Sequence, residues 1–239
     1  NGTTFTLTIT GADQAGYSSG SIAMTTPNMG GIKINGKSGG TGVDRYDDMM
    51  PTAWEETNGT SLTTGLQTVA GVGTAMNIEW TAPADLLGEG LHLGIAVAPG
   101  AATGATSNEK GVGGDSGGIG MGYDITISST GFADGLNVFA GVSEIEQASA
   151  STDKHTGDRS QTVAGLTYAV GSFTMGYQYS IDNHNATSGT TTTQYYENNA
   201  FGISFQVNDD LTLSYGEHRS ERGVVNSSGV SPTELTAQS

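Results

Sequence analysis

Cysteine is absent from the 239 residues. That excludes a disulfide framework and any thiolate metal site, while fitting either a cytosol or a bacterial envelope. Bases are scarce: 8 Lys and Arg stand against 24 Asp and Glu, for a formal net charge of −16. Such a surface repels a phosphate backbone, so nucleic acid is not expected as a partner. Charged residues of both signs make up 13% and hydrophobic residues 35%, both low for a soluble enzyme. No apolar run approaches the roughly 18 residues of a membrane helix, which excludes such helices but not a barrel of alternating strands. NGTTFTLTIT, which opens the sequence, is not expected to be a secretory leader.

Glycine, with 38 residues, is what the chain has in excess. One glycine-rich stretch, KGVGGDSGGIGMGYD from Lys110, contains Gly114-Asp115-Ser116-Gly117-Gly118, the pentapeptide around the nucleophile of trypsin-like serine proteases. That chemistry needs a histidine base placed well before the serine, with an aspartate between them. His92 alone precedes Ser116, by 24 residues, and sits inside the alternating run GLHLGIAV. Ser116 is therefore read as a loop serine, and the chain as no enzyme.

Elsewhere the pattern is alternation, which places successive side chains on opposite faces of a strand. In AVGSFTMGYQYSID, Phe173, Met175, Tyr177, Tyr179 and Ile181 share one face, against Thr174, Gly176, Gln178, Ser180 and Asp182. GIGMGYDITI, FGISFQV, GLHLGIAV and AMNIEWT split in the same way. About eleven such segments are expected, near residues 3–10, 20–26, 31–38, 75–82, 90–98, 118–129, 134–147, 160–170, 172–182, 197–207 and 210–219. Convincing helical periodicity is absent, so the chain reads as all-β.

Short connections alternate with long ones from the second strand onward, as in an up-and-down meander with tight turns at one end and long loops at the other. The polar faces are rich in Gly, Ser, Thr, Asn and Gln, which suit a wall facing water better than a dry core. Aromatics near strand ends, namely Trp80, Tyr123, Tyr168, Phe173, Tyr195, Tyr196 and Tyr215, fit interfacial girdles. A strand of about ten residues tilted by about 45° spans a bilayer core.

With these features the chain resembles general bacterial porins of the alphaproteobacterial type. GLTYAVGSFTMGYQYSID and FGISFQVNDDLTLSYGEHRSE are similar to paired porin strands around periplasmic turns. GGTGVDRYDDMMPTAWEETNG is similar to the start of the loop that folds into such barrels and narrows the pore. The resemblance implies a transmembrane antiparallel up-and-down β-barrel in the bacterial outer membrane. About eleven of sixteen strands would be present, in one domain over residues 1–239 incomplete at both ends. SPTELTAQS is read as a loop-like end. The implied function is passive diffusion of small hydrophilic solutes and ions by a homotrimer in contact with membrane lipid and lipopolysaccharide.

Residues 39–74 form the longest connection and the expected constriction loop. Asp44, Asp47, Asp48, Glu55 and Glu56 accompany a single base, Arg45, and carboxylate rings select cations. Tyr46, Met49, Met50 and Trp54 supply apolar anchors against a wall. Facing bases are expected at polar positions, of which Lys33 is the clearest, with His92 and His218 sharing its parity. The plain alternative is that the acids merely solvate a loop. Asp44, Asp47 and Asp48 are also a candidate Ca²⁺ site, although EF-hand spacing is missing. A rival function is a secreted or cell-surface glycine-rich β adhesin or surface-layer protein. It would carry repeats of fixed period, and none is found.

Overall fold

The computed structural model describes residues 2–11, 19–36, 39–53, 68–84, 86–88, 90–101, 120–146, 154–155, 157–188, 192–226 and 229–238. Its strands are β1 (Thr4–Thr10), β2 (Ser19–Thr26), β3 (Gly30–Gly36), β4 (Met76–Thr81), β5 (Leu91–Ala101), β6 (Gly120–Ser129) and β7 (Leu136–Ile145). They continue as β8 (Lys154–His155), β9 (Arg159–Val170), β10 (Phe173–Asn183), β11 (Ala186–Ser188), β12 (Thr192–Asn208), β13 (Leu211–Asn226) and β14 (Gly229–Gln238). Among the described residues a 3-10 turn spans Gly42–Tyr46. No helix among the described residues is long and apolar enough to cross a membrane.

Twelve strands form one antiparallel sheet in the order β1-β2-β3-β4-β5-β6-β7-β9-β10-β12-β13-β14. β8 and β11 pair separately, through His155 and Ala186. Each main strand therefore lies beside its sequence neighbour, and the sheet is open, with β1 and β14 at its edges. The eleven expected segments are all strands. The twelfth, β14, replaces the expected loop-like end. It pairs Pro232 with Gly223 and Glu234 with Glu221. A proline in a strand argues against pairing on both sides, and an edge is where it is tolerated.

Tight links at Pro27–Met29, Thr130–Gly135, Gly171–Ser172 and Asp209–Asp210 share one end of the sheet with the longer 82–90 turn. Gly135 and Gly171 take positive φ there, which a side chain would resist. The long connections, 37–75, 102–119, 146–158 and 184–191, share the other end, where only β13 and β14 are joined by a short link.

The burial of the two faces is the reverse of an ordinary soluble sheet. On the polar face Asn35, Asn77, Glu79, Asp124, Gln161, Ser180, Asp182 and Ser220 are buried. The opposite face exposes Phe5, Leu7 and Ile9 at 66–72%, and Ile78, Ile125, Val142, Leu166, Met175, Phe201 and Leu213 to a lesser degree. Among the described residues, the buried apolar side chains other than Val225 form two small clusters where residues 43–50 and 69–75 lie against the polar face. One holds Val43, Tyr46, Val69, Phe139 and Val163, and the other Val72, Ala75, Ala96, Ala98 and Ile145.

The exposed apolar band crosses the sheet on a diagonal. Its centre on β1 is Leu7, flanked by Phe5 and Ile9. The register row through Leu7 runs Ile22, Ile34, Ile78, Val97, Tyr123, Glu144, Ser160, Asn183, Tyr195 and Gly223. On β10 the exposed band is Phe173, Met175 and Tyr177, already short of Asn183. On β13 it is centred on Leu213, ten residues nearer the tight-turn end than Gly223. Ten residues at about 3.3 Å across ten strand steps at about 4.8 Å give a slope of about 35°. Above the band on β12 and β13, Glu197 stands directly opposite Glu221 on that same outer face.

Candidate functional site

Two described arms of the segment between β3 and β4, residues 39–53 and 68–75, lie across the polar face. Trp54, Glu55 and Glu56 lie outside the described residues, as does the glycine-rich stretch around Ser116.

Asp124, in the middle of β6, grips both arms. Its Oδ2 accepts from the Val43 N–H at 2.9 Å and the Val72 N–H at 3.1 Å. The preceding residues, Gly42 and Gly71, have φ of 58° and 49°. A Cβ on either would fall 2.0 or 2.2 Å from Asp124 Oδ2. Glycine is needed twice, both for the left-handed backbone and for the close approach to the carboxylate. Gln161 on β9 adds a second grip on the returning arm, its Oε1 accepting from Ala70 N at 2.9 Å and Gly71 N at 2.7 Å.

The flanking strands complete the clamp. Asn35 on β3 and Asn77 on β4 both donate through Nδ2 to Thr41 Oγ1, at 3.0 and 2.9 Å. Asn77 also donates to the carbonyls of Val72 and Ala75. Glu79 on β4 accepts from Gly42 N at 3.0 Å and pairs with Arg45. Tyr46 stacks on Phe139 with centroids 4.8 Å apart, and its hydroxyl donates to the Ile127 carbonyl. Met49 and Met50 pack against the same cluster. Farther along, a bare strip receives Pro51: a Cβ at Gly176 or Gly202 would stand 2.8 Å from its atoms. Ala53 N donates to Ser214 Oγ at 2.9 Å on β13.

The carboxylates expected to line a pore divide between two environments. Asp44 is buried and turned back on its own segment, where Oδ2 accepts from Gly40 N at 2.7 Å. Burial pushes its carboxyl above the usual range, opposed by that N–H and by the nearby charge of Lys33. Lys33, half-buried on β3, lies opposite Glu79 in the register, so it sits beside the loop's first arm. Asp47 is half-buried and Asp48 exposed. Burial, then the charges of Asp48 and Asp44, push the Asp47 carboxyl up to about 7. Both acids line a cavity between the loop and β10, β12 and β13, together with Gln178 and His218. Asp44 is thus engaged by its own segment, and among the described residues no group of three or more His, Asp or Glu is placed to hold a metal ion.

Glu79 in AMNIEWT and Asp124 in GIGMGYDITI, unmarked among the polar positions of the sequence, are both buried acceptors for the loop backbone. The available signal was the pair of Gly-Val dipeptides, 42–43 and 71–72, bracketing the segment. Two bases of the polar face were also missed. Arg159 pairs with the buried Asp182, its Nε 2.9 Å from Oδ1, and Arg222 lies over the Tyr196 ring at 5.9 Å. Tyr196 therefore belongs to the polar face, while its neighbour Tyr195 points outward and donates to Glu221 at 2.7 Å. His92 lines a small cavity with Arg45 and Tyr46. In comparisons with known proteins, no family model and no curated sequence matches the chain.

Proposed function

We propose that this chain forms much of the wall of an outer-membrane porin. Its polar lumen is narrowed by residues 39–75, and small hydrophilic solutes and ions cross it by passive diffusion. One observation carries the reading: the apolar face is bare, and its band runs at about 35° to the perpendicular of the strands. Barrel strands tilt by about 35–45°, so this diagonal becomes a level belt once the sheet curls into a barrel. A soluble protein has no use for a slanted stripe of exposed Phe, Leu and Ile, which would be an association liability.

The clamped loop supports the same reading. A segment held across a polar wall by buried acceptors narrows whatever space that wall encloses. Asp47 and Asp48 bring negative charge to its free side, which favours cations. A barrel of about sixteen strands, assembled as a homotrimer in the outer membrane, follows from the porin resemblance.

The test is to extract the full protein in detergent and record current across a planar bilayer. Discrete, long-lived steps favouring cations and closing in threes are expected. Folded protein that gives no steps and stays soluble without detergent would overturn the porin reading in favour of a surface adhesin.

A further inference from the structure

The cavity between the loop and β10, β12 and β13 carries three acceptors in its polar lining, beside the hydroxyl groups of Thr52, Thr68 and Ser180. Asp47 and Asp48 stand on the loop side and Gln178 on the wall. Its volume is about 40 Å³, room for one or two water-sized groups. Gln178 is 5% exposed, and its Oε1 has no hydrogen-bond partner. The register explains why: its neighbours across the sheet are Gly165 and Ala200, neither with a side chain that donates. One row above, the polar groups satisfy each other, Ser220 donating to Asn198 at 2.6 Å and Asn198 to Ser180 at 3.2 Å. Gln178 thus leaves a buried carbonyl oxygen in a cavity that already holds two carboxylates.

We propose that this cavity is a binding subsite for the primary ammonium head of a small organic cation. The inference deepens the pore reading and rests on it, since it names a solute class for the narrowed lumen. An ammonium carries a full positive charge and three N–H donors in a head the size of a water molecule. Three acceptors, two of them charged, match that head. A water molecule has only two hydrogens to give and leaves the carboxylate pair uncompensated. Divalent metals ask for six or more oxygens around a tight centre, which two carboxylates and one amide do not supply. Met50 and Pro51 line the same cavity and offer an apolar surface to the attached carbon chain. The proton held on Asp47 up to about pH 7 is the charge such a cation would displace. His218, when protonated, opposes it from the wall, as Asp44 and Asp48 favour it from the loop.

Calorimetric titration of the full protein in detergent tests the proposal, with methylammonium as ligand and tetramethylammonium as the cation lacking N–H. Methylammonium is expected to saturate the site at least about tenfold more tightly, releasing protons between pH 6 and 7. Gln178→Leu should weaken binding by about five- to tenfold. The double change Asp47→Asn and Asp48→Asn should abolish it, with the β-sheet circular dichroism unchanged in both variants. Equal affinity for the two cations, or binding indifferent to these substitutions, overturns the subsite. The titration needs no current, so a conducting protein without the preference refutes the subsite alone. A binding protein that never conducts refutes the pore alone.

Discussion

Asp124 and Ile125 are adjacent in β6 and obey opposite rules. Asp124 faces inward, is fully buried, and holds two arms of a distant segment through directed hydrogen bonds. Ile125 faces outward, is 40% exposed, and has Ile95 and Val142 as lateral neighbours in the register. The same contrast separates the two faces along most of the sheet. On the inner face the identity of a residue matters, because a given atom meets a given N–H. Around Ile125 on the outer face the neighbours are apolar and no directed bond is made. Alternation therefore sorts residues into a surface of directed contacts and one of largely apolar exposure.

The contrast is broken most severely at Asp124. Asp124→Ala leaves the Val43 and Val72 amides without their acceptor and should cost about 3–5 kcal/mol, since two hydrogen bonds to a charged group are lost. Denaturant unfolding in detergent measures it, and a larger single-channel conductance should accompany it as the loop comes away. Ile125→Val beside it should cost less than about 1.5 kcal/mol.

The outer face is sharpened by a pair of lysines. Leu213→Lys enters the band and should cost about 2–4 kcal/mol in a bilayer. Ser160→Lys, on the same face and in the register row of Leu7, lies outside the band on its own strand and should be nearly neutral. Equal costs for the two, read from folding yields into vesicles, would remove the diagonal and with it the inferred tilt.

The last effect is one of pH and belongs to Asp47. Its carboxyl keeps a proton up to about pH 7 when folded, but loses it near 3.8 when unfolded. The folded state therefore binds the extra proton between those values, so this contribution is full below about pH 4 and fades as pH rises through 7. Stability measured from pH 5 to 8 should decline by this route, and Asp47→Asn should flatten the slope.

Strand positions were legible because alternation is a local signal, repeated in every segment. β14 was hidden by Pro232 and by its polar neighbours, which look like a loop unless the partner Gly223 is already in view. The clamp was hidden for a different reason. Asp124 contacts Val43 across 81 positions of sequence, and a lone acid on the polar side of a strand looks the same whether it meets water or an amide. Tyr195 and Tyr196 show the limit of composition: adjacent residues on one strand cannot both join a girdle, and only register decides which does. Lys33 had the right parity, yet parity does not say that its near neighbour is Asp44.

The clamp also dictates an order of events. Asn35, Asn77, Asp124 and Gln161 come from four strands that converge on the loop only when β3 to β9 stand side by side in register. Every strand of the main sheet pairs with its neighbour along the chain, so the wall can grow one hairpin at a time without the loop. The loop has no such freedom, because its acceptors do not exist as a group until that wall does. If the wall encloses the proposed pore, its passage is narrowed last, by a surface that must already be standing.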